Sequence, residues 1–217
     1  MWRVEDTSDI GSWIGEESLL IADGHHRYTT ALSYRDEMRA AQGSGPWDRV
    51  LTLIVDAGVE EPPVLPFHRI MSAPASATEG AVVRDLQEVL SELNDDTLTY
   101  GTVAREDGRL IHRVAELAGA PPTVVALHEQ IIDADAVARG DVRFTQDAVA
   151  AEEAVHAGDA AVAYFLPATT TERIRAVVQR GERLPQKSTF FWPKPRTGMI
   201  IRSLELDVIP PAVDPAS

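Results

Sequence analysis

The chain has 217 residues, enough for one large domain or two small ones with a sizeable buried core. Twenty Lys plus Arg stand against 34 Asp plus Glu, and a net charge of −14 argues against non-specific binding to a nucleic-acid backbone. There is no cysteine, which excludes disulfides, thiolate metal sites and cysteine nucleophiles and agrees with a reducing compartment.

At the N-terminus Glu5, Asp6 and Asp9 stand where a signal peptide needs an apolar stretch. No apolar run approaches the roughly 20 residues that span a bilayer, so a soluble cytoplasmic protein with no membrane partner is expected. Trp2, Val4, Ile10, Trp13 and Ile14 put apolar residues at the very start and predict an exposed apolar edge with self-association. Ser18 to Ala22 reads as a short strand and Asp23-Gly24 as a turn. His25 to about Ala41 has helical spacing, with Tyr28, Ala31, Leu32 and Arg35 on one stripe, and Gln42 to Pro46 ends it. Val50 to Val55 is continuous and rich in β-branched residues, the strongest strand signal in the chain. Strand, helix and strand in that order predict a right-handed βαβ-like crossover.

Glu60-Glu61-Pro62-Pro63 and Pro66 form an extended connector into Phe67-His68-Arg69-Ile70-Met71, and Ser72 to Thr78 reads as a linker. Glu79 to Leu93 and Gly101 to Ala120 are predicted as helices, Thr123 to Leu127 as a strand, and Val142 to Phe144 as a further strand. Asp133-Ala134-Asp135 is read as a solvated helix start. Asp147 to His156 reads as a helix closed by Gly158, and Ala160 to Leu166 as a strand. Thr169-Thr170-Thr171-Glu172 has capping-box spacing for a helix running to Arg180, and Met199-Ile200-Ile201 reads as a last strand. The expected fold is mixed α+β: a strand–helix–strand core over residues 1–72 and a second α/β lobe over 79–210.

Two segments carry chemistry. In Ile21-Ala22-Asp23-Gly24-His25-His26-Arg27-Tyr28 a glycine at a strand-to-helix junction is followed by two imidazoles and a guanidinium. Unpaired N–H groups at a helix start carry partial positive charge, Gly24 permits close approach of a ligand, and the Arg27 fork suits phosphate oxygens. Asp23 could hold Mg²⁺ or accept a proton from an attacking hydroxyl. The plainer reading makes Asp23 an N-cap and Gly24 a turn residue, with His25 and His26 solvated. Adjacent histidines project about 100° apart on a helix and do not chelate a metal as an i, i+4 pair would.

Gly181 to Gly198 is the second segment, with four basic residues and one acidic, and three consecutive aromatics at Phe190-Phe191-Trp192. It holds Lys187 and Lys194, the only lysines in a chain with 18 arginines. Compact ammonium charges there, with Ser188 and Thr189, suit an anionic ligand; the plainer reading packs the aromatics in a core and leaves the cations in solvent. His68-Arg69 is a third candidate, with His68 read more readily as a hydrogen-bonded strand residue than as a catalyst. His112, His128 and His156 receive no role.

Ile21 to Arg27, Leu65-Pro66-Phe67-His68-Arg69 and Pro185 to Lys194, in that order, resemble the bacterial and archaeal domain-of-unknown-function family numbered one thousand and fifteen. Members of that family extend well upstream, so the chain resembles the C-terminal portion of a member, with the missing N-terminal portion or a second copy as an expected partner. The junction also resembles, more distantly, the sulfiredoxin and ParB-type fold, where a turn of this type at a helix start binds nucleotide phosphates. His25 stands where sulfiredoxin has its catalytic Cys, so sulfinic-acid reduction does not carry over. A ParB-like relative phosphorylates free serine, which implies small-molecule phosphotransfer.

Together these readings predict a nucleotide-dependent phosphotransferase or nucleotide hydrolase acting on a small polar substrate, using ATP or ADP and Mg²⁺. Gly24, His25, His26 and Arg27 would hold phosphates, and Asp23 would bind the metal or act as base. Lys187 would neutralise developing charge, with Ser188, Thr189 and Lys194 as further anion ligands. The alternative is a non-catalytic nucleotide sensor or interaction module, which needs the same cradle.

Overall fold

Turn chemistry decides the largest element of the molecule. In the computed structural model, which describes residues 8–17, 19–59, 61–73 and 79–205, Thr99–Glu106 (β4) and Arg109–Glu116 (β5) form an antiparallel hairpin. Asp107 and Gly108, both at positive φ (46° and 78°), make its two-residue turn. Asp-Gly with both central residues left-handed matches the right-handed twist of the flanking strands. The helix expected over Gly101 to Ala120 is therefore corrected to two strands: the Asp-Gly turn and the β-branched run Thr99, Thr102 and Val103 outweigh a coincidental helical spacing.

Seven α-helices and eight strands lie among the described residues, so the class is mixed α+β as expected. They fall into two compact units, Met1–Leu53 with Arg196–Ser217, and Ile54–Pro195. The expected linker lies within the second unit, and its residues 74–78, like Ser18, Glu60, Trp2 and Val4, lie outside the described residues.

The second unit is built on a six-stranded antiparallel sheet. Besides β4 and β5 it contains His68–Met71 (β2), Ala81–Val83 (β3), Val142–Thr145 (β6) and Val162–Phe165 (β7), in the order β3-β5-β4-β7-β2-β6. Side chains alternate across it. Met71, Tyr100, Ala104, Val162 and Tyr164 pack on one face against Thr123–Gln130 (α4) and Ala134–Ala138 (α5). Ile70, Val103, Ala163 and Phe165 pack on the other against Leu86–Glu92 (α3) and Ala148–Ala157 (α6). Thr171–Gln179 (α7) follows β7. A separate two-stranded ladder pairs Val64–Leu65 (β1) with Phe190–Phe191 (β8).

Local capping explains most helix starts. Thr170 accepts from Arg173 N–H, Asp147 from Val149 and Ala150, and Asp133 from Asp135, each at the predicted start. Two further expectations are corrected. Glu79 to Leu93 is not one helix, because Asp85 caps α3 and leaves Ala81–Val83 to pair with β5. Thr123 to Leu127 is helical rather than a strand: buried Asp95, 28 positions back, caps the Thr123 N–H and hydroxyl, both at 2.7 Å.

In the first unit Ser8–Glu16 (α1) and His25–Gln42 (α2) are helical, and Pro46–Asp48 forms a 3-10 turn. The expected strand–helix–strand core is present only in its helix. Residues 19–22, 50–55 and 199–201 join no ladder, so no βαβ crossover forms among the described residues. A β-branched run favours extended backbone, yet a strand also needs a neighbour for its N–H and C=O groups. Val50, Leu51 and Leu53 are exposed.

Candidate functional site

Helix α2 begins without a side-chain cap. Its N-cap is Gly24 in the left-handed region (φ 85°, ψ 28°), and Tyr28 N–H closes the first helical bond onto the Gly24 carbonyl at 2.9 Å. The N–H groups of His25, His26 and Arg27 precede that bond and point out of the helix end. All three side chains are exposed. Asp23 is not the N-cap: its carboxylate meets Arg27 Nη2 at 3.1 Å instead. The guanidinium thereby lies over Gly24, where a Cβ would come within 2.9 Å of Nη2. Backbone donors and the Arg27 cation thus meet at one helix end, with two exposed imidazoles on its first turn, an arrangement suited to an anion.

A resident Mg²⁺ fits this geometry poorly. Asp23 is the one carboxylate of the motif, and a cation already pairs with it. Among the described residues no group of three or more His, Cys, Asp or Glu could hold a metal ion.

The other expected residues, Lys187, Ser188, Thr189 and Lys194, belong to the second unit. There the Leu65-Arg69 and Pro185-Lys194 motifs are brought together. Val64 pairs with Phe191 and Leu65 with Phe190, and Trp192 N–H donates to the Pro63 carbonyl at 2.9 Å. Phe67 meets Phe190 edge to face at 5.9 Å, and Phe190 stacks on half-exposed Trp192 at 6.2 Å. Both lysines stand over this ladder, Lys187 Nζ 5.7 Å from the Phe67 centroid and Lys194 Nζ 4.5 Å from that of Phe190. Ser188 is buried and donates its hydroxyl to the Pro185 carbonyl at 2.6 Å, bracing the turn, while Thr189 is half-buried.

The sequence offers Arg69 only as the neighbour of His68, with no role of its own, and the structure buries it fully in β2. Its Nε donates to His128 Nε2 at 3.2 Å, its Nη2 to the Gln186 carbonyl at 3.3 Å, and its Nη1 to the Phe67 carbonyl. It lies over the Phe144 ring, and no carboxylate pairs with it among the described residues. Burial pulls its pKa down to about 9, so it stays charged at neutral pH. His128, half-buried beside that cation, is pushed down to about 4, first by desolvation and then by the Arg69 charge, and remains neutral. His68, one residue along the strand and on the opposite face, accepts the Leu166 N–H at Nδ1 and packs edge-on against Phe165. Burial and then the Arg69 charge lower it to about 4, which fits a structural residue. His112 pairs with Glu152 at 2.5 Å against the other face. An open cleft of about 810 Å³ at the β3 edge, lined by Glu79, Glu92, Glu116, Thr97 and Thr99 among others, includes neither motif.

The fold and the ordered motifs define a mixed α+β protein with an anion-suited helix start. The chain belongs to the DUF1015 family of proteins of unknown function, whose profile matches residues 1–166. No curated protein matches it. Among solved structures it is similar to a free serine kinase in complex with AMP, at 17% identity and a TM-score of 0.48, over 81% of this chain and 68% of that one. A mutant of a free serine kinase, also with AMP, matches at 16% identity, a TM-score of 0.47 and the same coverage. At that level of likeness neither kinase's chemistry transfers to this chain. No helix of the described residues is long and apolar enough to cross a membrane.

Proposed function

We propose that this chain binds the phosphates of a nucleotide at the start of α2 and transfers a phosphoryl group to a small polar acceptor or to water. The observation that supports this reading is the uncapped left-handed Gly24 junction with the Arg27 guanidinium folded over it. Gly24, His25, His26 and Arg27 would hold phosphate oxygens, since backbone donors and a planar cation stabilise anionic charge without rearrangement. In the transfer step the bond from the terminal phosphorus to its bridging oxygen breaks. A new P–O bond forms to the acceptor hydroxyl, whose proton passes to Asp23. Lys187, with Ser188, Thr189 and Lys194 near it, would meet phosphate oxygens as the chain's second anion-binding segment.

One observation favours the alternative of a nucleotide sensor. Asp23 is already held by Arg27, so a phosphate arriving at Arg27 competes for that cation and changes the junction as it binds. A thermal-shift panel of ATP, ADP, AMP and inorganic phosphate tests binding, and assays with small hydroxyl compounds follow phosphate release or transfer. Binding with turnover supports the enzyme, binding without turnover supports the sensor, and no shift with any nucleotide refutes both.

A further inference from the structure

A buried guanidinium without a carboxylate is costly, and its partners show what it is used for. Arg69 sits on β2, between the edge strand β6 and β7, in register with Phe144 on one side and Tyr164 on the other. Its Nε donates to His128 Nε2, which requires His128 to be neutral with its proton on Nδ1. Its Nη1 donates to the Phe67 carbonyl in its own strand segment. Its Nη2 reaches 117 positions along the chain to the carbonyl of Gln186, the residue before Lys187. Lys187 takes a left-handed backbone (φ 55°), sparsely populated for a residue with a side chain, and its ammonium stands over Phe67. The Ser188 hydroxyl closes the same turn onto Pro185. Arg69 therefore touches both ends of the arrangement: the carbonyl that sets the path of the turn, and the residue whose ring receives the lysine.

We propose that Arg69 is a positioning residue: anchored by His128 and Phe67, its guanidinium grips the Gln186 carbonyl and fixes the turn that presents Lys187 to an anionic ligand. This rests on the reading that Lys187 meets phosphate. A lysine ammonium cannot replace the fork, because its three N–H donors radiate from one nitrogen, whereas the three acceptors here are met by three separate guanidinium nitrogens. Apolar replacement of an uncompensated buried charge is compatible with folding, which makes Arg69→Met the informative variant.

The chain's two lysines make the readout clean. Amine-reactive labelling followed by peptide mass spectrometry gives separate rates for Lys187 and Lys194 in the protein without ligand, and calorimetry with ADP gives affinity. In Arg69→Met the Lys187 rate is expected to change at least about threefold, with Lys194 as internal reference, and ADP affinity to fall about fivefold to tenfold. Arg69→Lys should behave like Arg69→Met. His128→Gln, which keeps an acceptor oxygen, should recover more of the wild-type rate than His128→Leu. A folded Arg69→Met with unchanged Lys187 labelling overturns the proposal, and so does an Arg69→Met that cannot fold, since Arg69 is then structural. If the wild type binds no ADP or phosphate, the phosphate reading falls and takes the ligand role of Arg69 with it. If the wild type binds and Arg69→Met binds equally well, the positioning role alone is lost.

Discussion

Replacing Gly24 by alanine separates the backbone's part in the α2 junction from that of the charged side chains. Gly24 sits at φ 85°, where a side chain costs about 1–2 kcal/mol. The added Cβ would come 2.9 Å from Arg27 Nη2 and 3.1 Å from Cζ and Nε. Those atoms are the end of an exposed, flexible side chain, so they move rather than clash. Moving them breaks the exposed pair with Asp23, which contributes little to stability. The expected loss of stability is therefore about 1–2 kcal/mol, read as a shifted urea midpoint with unchanged m-value. Binding should suffer more, because the new methyl occupies the approach to the helix N–H groups and displaces the guanidinium. ADP affinity should fall by about tenfold or more in calorimetry. Gly43→Ala is the control: it too sits at positive φ, no atom lies within 4 Å of its added Cβ, and it caps the other end of the same 18-residue helix. That end is about 27 Å away. Gly43→Ala should lose stability and keep its ADP affinity. If Gly24→Ala binds ADP as the wild type does, or both variants weaken it equally, the junction is not the ligand site.

Arg27→Ala should lose charge-assisted hydrogen bonds of about 1.5–3 kcal/mol in ADP binding, with Arg27→Lys a partial rescue. Lys187→Ala should lose a comparable amount if Lys187 meets phosphate, and an unchanged ADP affinity refutes that role. Asp95→Ala should destabilise by about 3–5 kcal/mol in urea melts, because it orphans the Thr123 N–H and the Thr169 hydroxyl and leaves Arg173 with Asp96 alone; a loss under about 1 kcal/mol contradicts the burial argument. His68 is held neutral by burial, at about 4 against 6.5 in the unfolded chain. The unfolded state thus binds the extra proton. The contribution, about 3 kcal/mol at most, is complete above pH 6.5 and disappears as pH falls towards 4. His128, also lowered to about 4, acts over the same window, so His68→Phe should reduce that slope by about half, and an unchanged slope counts against it. Sedimentation should show self-association from the exposed Val50, Leu51 and Leu53, and a monodisperse monomer contradicts it.

Elements specified by neighbouring residues were readable from the chain alone. The α6 and α7 helices follow from Asp147 and Thr170, which cap the N–H groups two and three residues on, and α6 ends at a left-handed Gly158. The β6 and β7 strands follow from short β-rich runs between turns. Where the reading failed, the deciding contact was distant or a turn was overlooked. Asp107-Gly108 was there to be seen and marks a hairpin more strongly than apolar spacing marks a helix. Thr123 to Leu127 could not be settled locally, since a five-residue apolar run suits a buried strand or a buried helix equally. Asp95 settles it by capping that helix from the segment between α3 and β4.

The same distinction divides the candidate site. The Gly24 junction is legible because a glycine, two histidines and an arginine in succession place their chemistry within one helical turn. Arg69 stands in the sequence only as half of the His68-Arg69 candidate, and its own role is not legible there. In sequence it is one basic residue after His68, and the aromatic neighbour Phe67 draws attention to the histidine instead. Its burial comes from β6 and β7, which flank β2 only after about 70 and 90 further residues have folded back. Its acceptors come from α4 and from the turn before Lys187. A charge whose three partners lie two, 59 and 117 positions away leaves no local pattern. What the sequence does show is the co-occurrence of the two motifs that Arg69 joins. The β1–β8 ladder and the Phe67–Phe190 contact give that co-occurrence a physical cause: each motif supplies the surface on which the other is ordered. Changes in one should therefore be felt in the other even where no residue is shared.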